Sequence, residues 1–419
     1  MSFHPFKVKR MGLGVQLCLW LVLICAVLWS GGWAQVPERE AEVVPERDRT
    51  EEQENEMPGK EAPLKLTGYV DATYLYNFGP GDSTNPLNFP ADNAPRGDFN
   101  LSAFWVRLEK ELARGNSLEV GFVCGVMIGE DATYYAGADA STNPSGPDSS
   151  AIYVAEAMAK IWVPEICMEM WVGKFQSVIG YETIWRPDNP CITFGIADVF
   201  MPQDNTGVLA IFSPDDLLDI AVGVSGCSGQ SNDVGAHGNG DEYAVMSYAK
   251  INSPSKNAFV QPGFYANPSG SHGANARISL DQNLYYNWNL LGEWSPVCAG
   301  DQWKLAFNTT GGSGTGDPSE NVLEAPTTFV TGALYSMWSL SDPVTLNGRL
   351  EYVHTNNNAL TGTSRLSGGD YYDYTLTLGV KITEDLVWRG EGRFAWGAEL
   401  MNPTASGLWT VATEIYYRF

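Results

Sequence analysis

The chain has 419 residues, 44% hydrophobic and only 18% charged, with 14 Trp, 19 Tyr and 17 Phe beside 44 Gly and 24 Pro. So much aromatic surface, with glycine nowhere periodic, excludes a disordered or collagenous chain. Acidic residues exceed basic ones by 49 to 25, a net charge of −24, which excludes a nucleic-acid partner because phosphates need clustered Lys and Arg.

The first 34 residues read as a targeting device. Lys7, Lys9 and Arg10 precede an apolar run from Met11 to Trp29, and small residues follow at Gly32 and Ala34. This predicts a secretory signal cut after Ala34. A retained anchor is the competing reading, since the run is nearly long enough to span a bilayer. A lipoprotein signal fits less well, because the bulky Ile24 stands just before Cys25. Residues 35–63 are rich in acidic side chains and interrupted by Pro37, Pro45 and Pro58, which predicts a disordered periplasmic linker. The alternative is a helix that packs on a partner.

After the signal no stretch can cross a bilayer as a helix, so any later insertion uses strands. Five cysteines remain, Cys124, Cys167, Cys191, Cys227 and Cys298. Their odd number and scattered spacing do not form a disulfide framework, although export permits one or two bridges.

From Leu66 onward the pattern has period two, the signature of strands with one apolar and one polar face. Leu118, Val120, Phe122, Cys124, Val126 and Ile128 alternate with Glu119, Gly121 and Gly125. The same alternation recurs over 344–352 and 372–382. Connections alternate in length. Short turns at 113–116, 164–165, 213–216, 341–343 and 383–385 separate long Gly/Asn/Asp/Ser/Pro segments at 79–98, 129–150, 177–204, 227–241, 310–326 and 356–369. Short turns at one end and long loops at the other are the layout of an all-β, transmembrane, antiparallel up-and-down β-barrel over residues 64–419. Counting up and down, with 274–294 taken as one long strand, gives 16 strands, within 14 to 18. The least distinct strands are 205–212 and 243–266.

A soluble sandwich would also alternate. Its strands are usually nearer 5 or 6 residues, shorter than these. Aromatics gather near strand ends at Trp288, Trp294, Trp388, Trp396, Tyr416 and Tyr417. The final segment alternates through Trp409, Val411, Ile415 and Tyr417 to a C-terminal Phe419. Ile415, Tyr417 and Phe419 look like the recognition signal read by the barrel-assembly machinery.

Several fragments carry a family likeness: GKF at 173–175, IGYE at 179–182, DNP at 188–190, NTGV at 205–208, GYVDATYLYNF at 68–78, RLEY at 349–352 and RGEGRF at 389–394. With them the chain resembles the OmpL-like β-barrel porin-2 family. The resemblance implies an outer-membrane channel for small polar solutes or ions in a Gram-negative-type envelope. It supplies no catalytic residues and no cofactor.

A barrel this wide encloses water, so its function lies in the side chains that line it. The strand phase predicts inward Arg107, Glu109, Glu119, Lys174, Arg277, Arg349, Glu351, Asp373, Lys381, Arg389, Glu391 and Arg393. An Arg row opposite an acidic row would set up a transverse field favouring small polar solutes. Structural ion pairs that merely stiffen the wall explain Arg349, Glu351, Arg389, Glu391 and Arg393 equally well. The long segment 177–204, with Tyr181, Glu182, Trp185, Pro187 and Asp188, is the candidate constriction loop, its alternative being an external lid.

The acid pairs Glu130–Asp131 and Asp241–Glu242 could hold divalent cations against anionic outer-membrane lipid, or simply be solvated. No metal ligands are assigned. His237 and His272 lie in Gly-rich loops, and His354 falls on the lipid-facing phase with no Ser beside it, so no enzyme is expected. A homo-oligomer is compatible with the sequence. The acidic balance suggests a mild cation preference. The contrasting hypothesis is a barrel with an occluded lumen, acting in surface adhesion or partner binding.

Overall fold

The computed structural model describes residues 63–78, 98–135, 152–202, 204–226, 243–267, 282–316, 327–356, 359–361, 364–366, 369–397 and 407–419. The segments expected to be signal peptide and linker lie outside these residues, apart from Pro63. The barrel lies in the compact unit Ala62–Phe419.

Eighteen strands follow in chain order: β1 (Leu64–Asn77), β2 (Asp98–Lys110), β3 (Glu119–Ile128), β4 (Ile152–Val163), β5 (Met168–Gln176), β6 (Asp204–Asp215), β7 (Leu218–Gly226), β8 (Tyr243–Asn252), β9 (Ala258–Asn267), β10 (Gln282–Trp294), β11 (Trp303–Gly316), β12 (Thr327–Ser341), β13 (Val344–Thr355), β14 (Ala359–Thr361), β15 (Ser364–Leu366), β16 (Gly369–Lys381), β17 (Leu386–Gly397) and β18 (Leu408–Arg418). Among the described residues a helix, α1 (Glu130–Tyr135), follows β3. Strands β14 and β15 form a separate small hairpin, and the other 16 close into one antiparallel barrel in which β1 pairs with β18. The expected strand number is therefore the one found. The long strand expected from 274 begins at Gln282, with 268–281 outside the described residues. The expected segment 243–266 divides into β8 and β9 at a turn where Ser253 N donates to Ala258 O.

Polarity across the wall is the reverse of a soluble protein. On β13, Leu350 is 51% exposed while its neighbours Arg349 and Glu351 are 0% and 4% exposed. On β7, Ile220, Val222 and Val224 are exposed and Ala221 is buried. An apolar outer face in contact with water would cost about 25 cal/mol per Å², whereas lipid accepts it. Among the described residues no helix is long and apolar enough to cross a membrane, so the crossing is made by strands.

Closure depends on the C-terminus. Phe419 N donates to Gly68 O at 3.0 Å and Gly68 N donates to Phe419 O at 2.9 Å. The Phe419 ring lies over Gly68, where a Cβ would come within 2.6 Å of the ring and 2.2 Å of the Trp105 carbonyl oxygen. Ile415, Tyr417 and Phe419 all face outward, 43%, 46% and 45% exposed. Tyr416 faces inward, with the Arg389 guanidinium 5.4 Å from its ring, so it is not part of an outer aromatic belt. Gly68→Val is expected to cost about 2–3 kcal/mol by overpacking this seam. The folded fraction on a heat-modifiability gel should fall, and an unchanged fraction would remove the steric argument.

Candidate functional site

At Gln176 the chain leaves β5, and residues 177–202 cross the interior before β6. Local chemistry shapes the entry. Ser177 Oγ donates to Ile179 O at 2.8 Å, and Gly180 takes a positive φ of 99° that a side chain would resist. Thr183 N donates to Asn189 Oδ1 (2.8 Å) while Asn189 Nδ2 donates to Thr183 O (2.7 Å), a bracket that folds the segment back on itself. Single 3₁₀ turns follow at Arg186–Asp188 and Ile196–Phe200.

Apolar side chains set the depth of the loop. Ile179 packs with Phe175, Leu209 and Tyr265, Ile184 with Trp105 and Tyr153, and Ile192 with Leu75 and Ala412. Phe200 stacks on Phe329 at 4.5 Å, Trp185 on Trp105 at 3.9 Å, and Tyr181 against Tyr335 at 4.6 Å. The loop thus touches opposite sectors of the wall.

A loop without helix or sheet pairing must find partners for its backbone groups once water is excluded. Two Arg-x-Glu pairs on the wall supply them. On β13, Arg349 donates to Thr193 O (2.6 Å) and Phe194 O (3.2 Å), and Glu351 accepts from Ile196 N (2.9 Å) and Ala197 N (3.2 Å). On β17, Arg389 donates to Asn189 O (2.7 Å) and Arg186 O (3.0 Å), and Glu391 accepts from Ile192 N (2.5 Å) and Thr193 N (3.1 Å). In each pair the cation takes carbonyls and the anion takes N–H groups. Asn347 and Asn287 add bonds to Pro190 O and Phe200 O.

The second tier neutralises these anchors. Arg349 also pairs with Glu182 at 2.7 Å and Asp373 at 3.4 Å, Arg393 pairs with Asp373 at 2.5 Å, and Arg389 pairs with Glu414. From the loop, the fully buried Arg186 reaches Asp131 of α1 at 2.6 Å, Ile192 O at 2.7 Å and Asp71 of β1 at 3.4 Å. Burial opposes its charge, but Asp131 and Asp71 hold the guanidinium protonated well above the usual range. Around the seat the carboxylates of Asp71, Asp131, Glu182, Glu351, Asp373, Glu391 and Glu414 outnumber the guanidiniums of Arg186, Arg349, Arg389 and Arg393.

The predicted lining residues divide accordingly. Arg349, Glu351, Asp373, Arg389, Glu391 and Arg393 are inward, but all are buried against the loop or one another rather than presented to an open lumen. Tyr181, Glu182 and Trp185 lie half-buried on the loop and Asp188 is exposed. Asp188 pairs with Arg418 at 2.8 Å, and Pro187 O accepts from the same side chain. Arg107 and Glu109 are inward with Glu156 and Lys160, Lys160 Nζ lying 2.8 Å from Glu109. Glu119 caps the turn below, accepting from Ala113 N at 2.7 Å. Lys381 is exposed at the end of β16.

Lys174, opposite Ala157 and Thr206 in the register, is half-buried, and its ammonium lies 4.5 Å from the centre of the Tyr153 ring, which is buried in the inner cluster with Trp105 and Ile184. Gly173 before Lys174 has φ +132° and no room for a Cβ beside Ala157 O, which is the physical role of the GKF glycine. One expectation needs correction: Asp131 is neither solvated nor a cation ligand, because it is buried and bound to Arg186. Arg277, His237, His272, Asp241 and Glu242 lie outside the described residues. His354 is on the outer face, 2.9 Å from Asp370. Asp71, Asp131, Arg186, Asn347 and Glu414 are the seat residues that alternation alone did not single out. The DNP motif offered one signal, since a turn motif in the middle of a long segment needs a partner for its freed carbonyls.

Cys124, Cys167, Cys191 and Cys298 are free thiols. Cys191 is buried in the loop, and that burial pushes its thiol up to about 12. At pH 8 it should therefore resist maleimide while the exposed Cys298 reacts, and only unseating the loop should expose it. Equal labelling of both on the folded protein would contradict the seating.

A closed 16-strand barrel with a polar interior and an apolar exterior defines a porin-type outer-membrane protein. A model of the family described as "Putative beta-barrel porin-2, OmpL-like" matches residues 63–419, and the chain belongs to that family. No curated protein sequence matches it significantly. Among solved structures it is similar in fold to the outer membrane channel DcaP of Acinetobacter baumannii, with TM-score 0.56 and 9% identity over 86% of this chain and 98% of that one. OprB of Pseudomonas putida follows, with TM-score 0.55 and 10% identity over 85% and 94% of the two chains. OmpT of Vibrio cholerae gives TM-score 0.53 and 12% identity over 87% and 99%. At these identities the likeness concerns the fold alone.

Proposed function

We propose that the chain is a passive channel for small hydrophilic solutes or ions, with the loop 177–202 as its constriction and a mild preference for cations. The observation that carries this reading is the pair of Arg-x-Glu clamps on β13 and β17, which hold an otherwise unpaired loop inside a water-filled barrel type. A wall that invests buried charges in holding a loop is a wall that fixes an aperture. The surplus of carboxylates around the seat supports the cation preference, since a negative interior raises the local concentration of positive ions. The same reading takes residues 1–34 as a cleaved signal, 35–63 as a periplasmic linker, and outer-membrane lipid and the barrel-assembly machinery as partners. A second copy of the chain is a compatible partner.

Measurement of reversal potential in a KCl gradient tests the preference. A potential on the cation side, moving toward zero in Glu182→Gln, is the expected result, and an anion-side potential would reject the preference.

A further inference from the structure

The inner wall opposite the clamps is built differently. On β5 to β9 the inward positions carry Leu209, Ala221 and Met246 in one apolar cluster, with half-buried Trp171, Ile211 and Tyr248 packed against it. Lys250 stands on this wall, half-buried, its ammonium 4.4 Å from the centre of the Phe259 ring. Among the described residues no carboxylate lies within ion-pairing distance of it. The nearby acids are otherwise engaged: Glu169 with Arg114 and Trp171, Glu293 with Lys304 and Tyr181. Asp219, across the sheet from Lys250, accepts from Ser213 Oγ at 2.6 Å. An ammonium beside half-buried aromatic and aliphatic side chains, with no carboxylate in ion-pair contact among the described residues, matches an anion that has an apolar body.

We infer that Lys250 with Tyr248, Phe259 and Ile211 forms a binding site for amphiphilic monocarboxylates, the carboxylate on Lys250 and the apolar body on the rings and Ile211. The inference rests on the proposed reading of the lumen as a solute path. It adds a preferred solute class that overall charge would not suggest. Asp219 opposes the bound anion, so it sets the affinity from the other side. The exposed Lys256, already paired with Asp216 at 2.6 Å, has no such role.

Isothermal titration of the refolded full chain with cyclohexanecarboxylate, acetate and cyclohexanemethanol tests the site. Cyclohexanecarboxylate should bind best, because acetate lacks the body and cyclohexanemethanol the charge. Lys250→Gln should weaken it by about tenfold or more, as expected for loss of a charge-assisted contact. Asp219→Asn should tighten it, and Lys256→Gln should leave it unchanged. Equal binding of the alcohol, or full binding by Lys250→Gln, overturns the site. Bilayer recordings separate this from the channel reading. A chain that conducts ions but binds no cyclohexanecarboxylate overturns the site alone, whereas Lys250-dependent binding without conduction supports the site and overturns the channel.

Discussion

Replacing residues 178–201 by a four-residue Gly/Ser linker is expected to raise single-channel conductance several-fold while leaving a heat-modifiable barrel. The barrel does not need the loop for its ladder. Gln176 at the end of β5 and Asp204 at the start of β6 are direct cross-strand partners, about 5 Å apart at Cα in an antiparallel pair, so a tight linker can join them. The deletion also removes the loop backbone that Arg349, Arg389, Glu351 and Glu391 now satisfy, and those side chains would turn to lumen water. Charged groups returned to water lose no hydration, which is why the barrel should survive the change. Unchanged conductance would show that the loop does not limit flow.

Arg389→Ala should be the most damaging single substitution in the wall. It leaves the loop carbonyls of Asn189 and Arg186 without their donor and strands Glu414, 1% exposed, without its cation. Removing one partner of a buried pair costs about 3–5 kcal/mol, chiefly because the remaining charge stays buried. The folded barrel should therefore melt markedly lower, and Cys191 should become reactive to maleimide as the loop lifts. Arg389→Lys should restore little, because a single ammonium cannot take Glu414 and two carbonyls through a planar fork. Reversal potentials of the Arg389→Ala, Arg393→Ala double variant separate clamp from filter. As a clamp and its supporting neighbour these arginines act on conductance and its noise, and a change confined to selectivity would favour the transverse-field role.

Much of this architecture was legible in the sequence, and for a physical reason. A barrel in lipid forces every spanning strand to alternate, so Leu350 against Arg349 and Glu351 reveals both strand and phase. The C-terminal Phe419 declared its outward face by the same rule. The inward phase of Arg349, Glu351, Asp373, Arg389, Glu391 and Arg393 was readable too, but not their use. Alternation tells which way a side chain points and nothing about what fills the lumen opposite it. The clamps were visible as twin Arg-x-Glu fragments within the family likeness, RLE and RGE, yet their partners lie about 150 to 200 residues away in the loop, as in the bond that Ile196 N donates to Glu351. Asp131 was misjudged because a lone acidic pair carries no trace of the distant Arg186 that neutralises it.

Planar-bilayer recording of the refolded full chain tests the account most directly. Stable open steps with a cation-side reversal potential, rising in amplitude when the loop is deleted or Arg389 is replaced, are the result this account predicts. A folded and inserted barrel that never conducts, with or without residues 178–201, would contradict it and turn the reading to an occluded barrel acting at the cell surface.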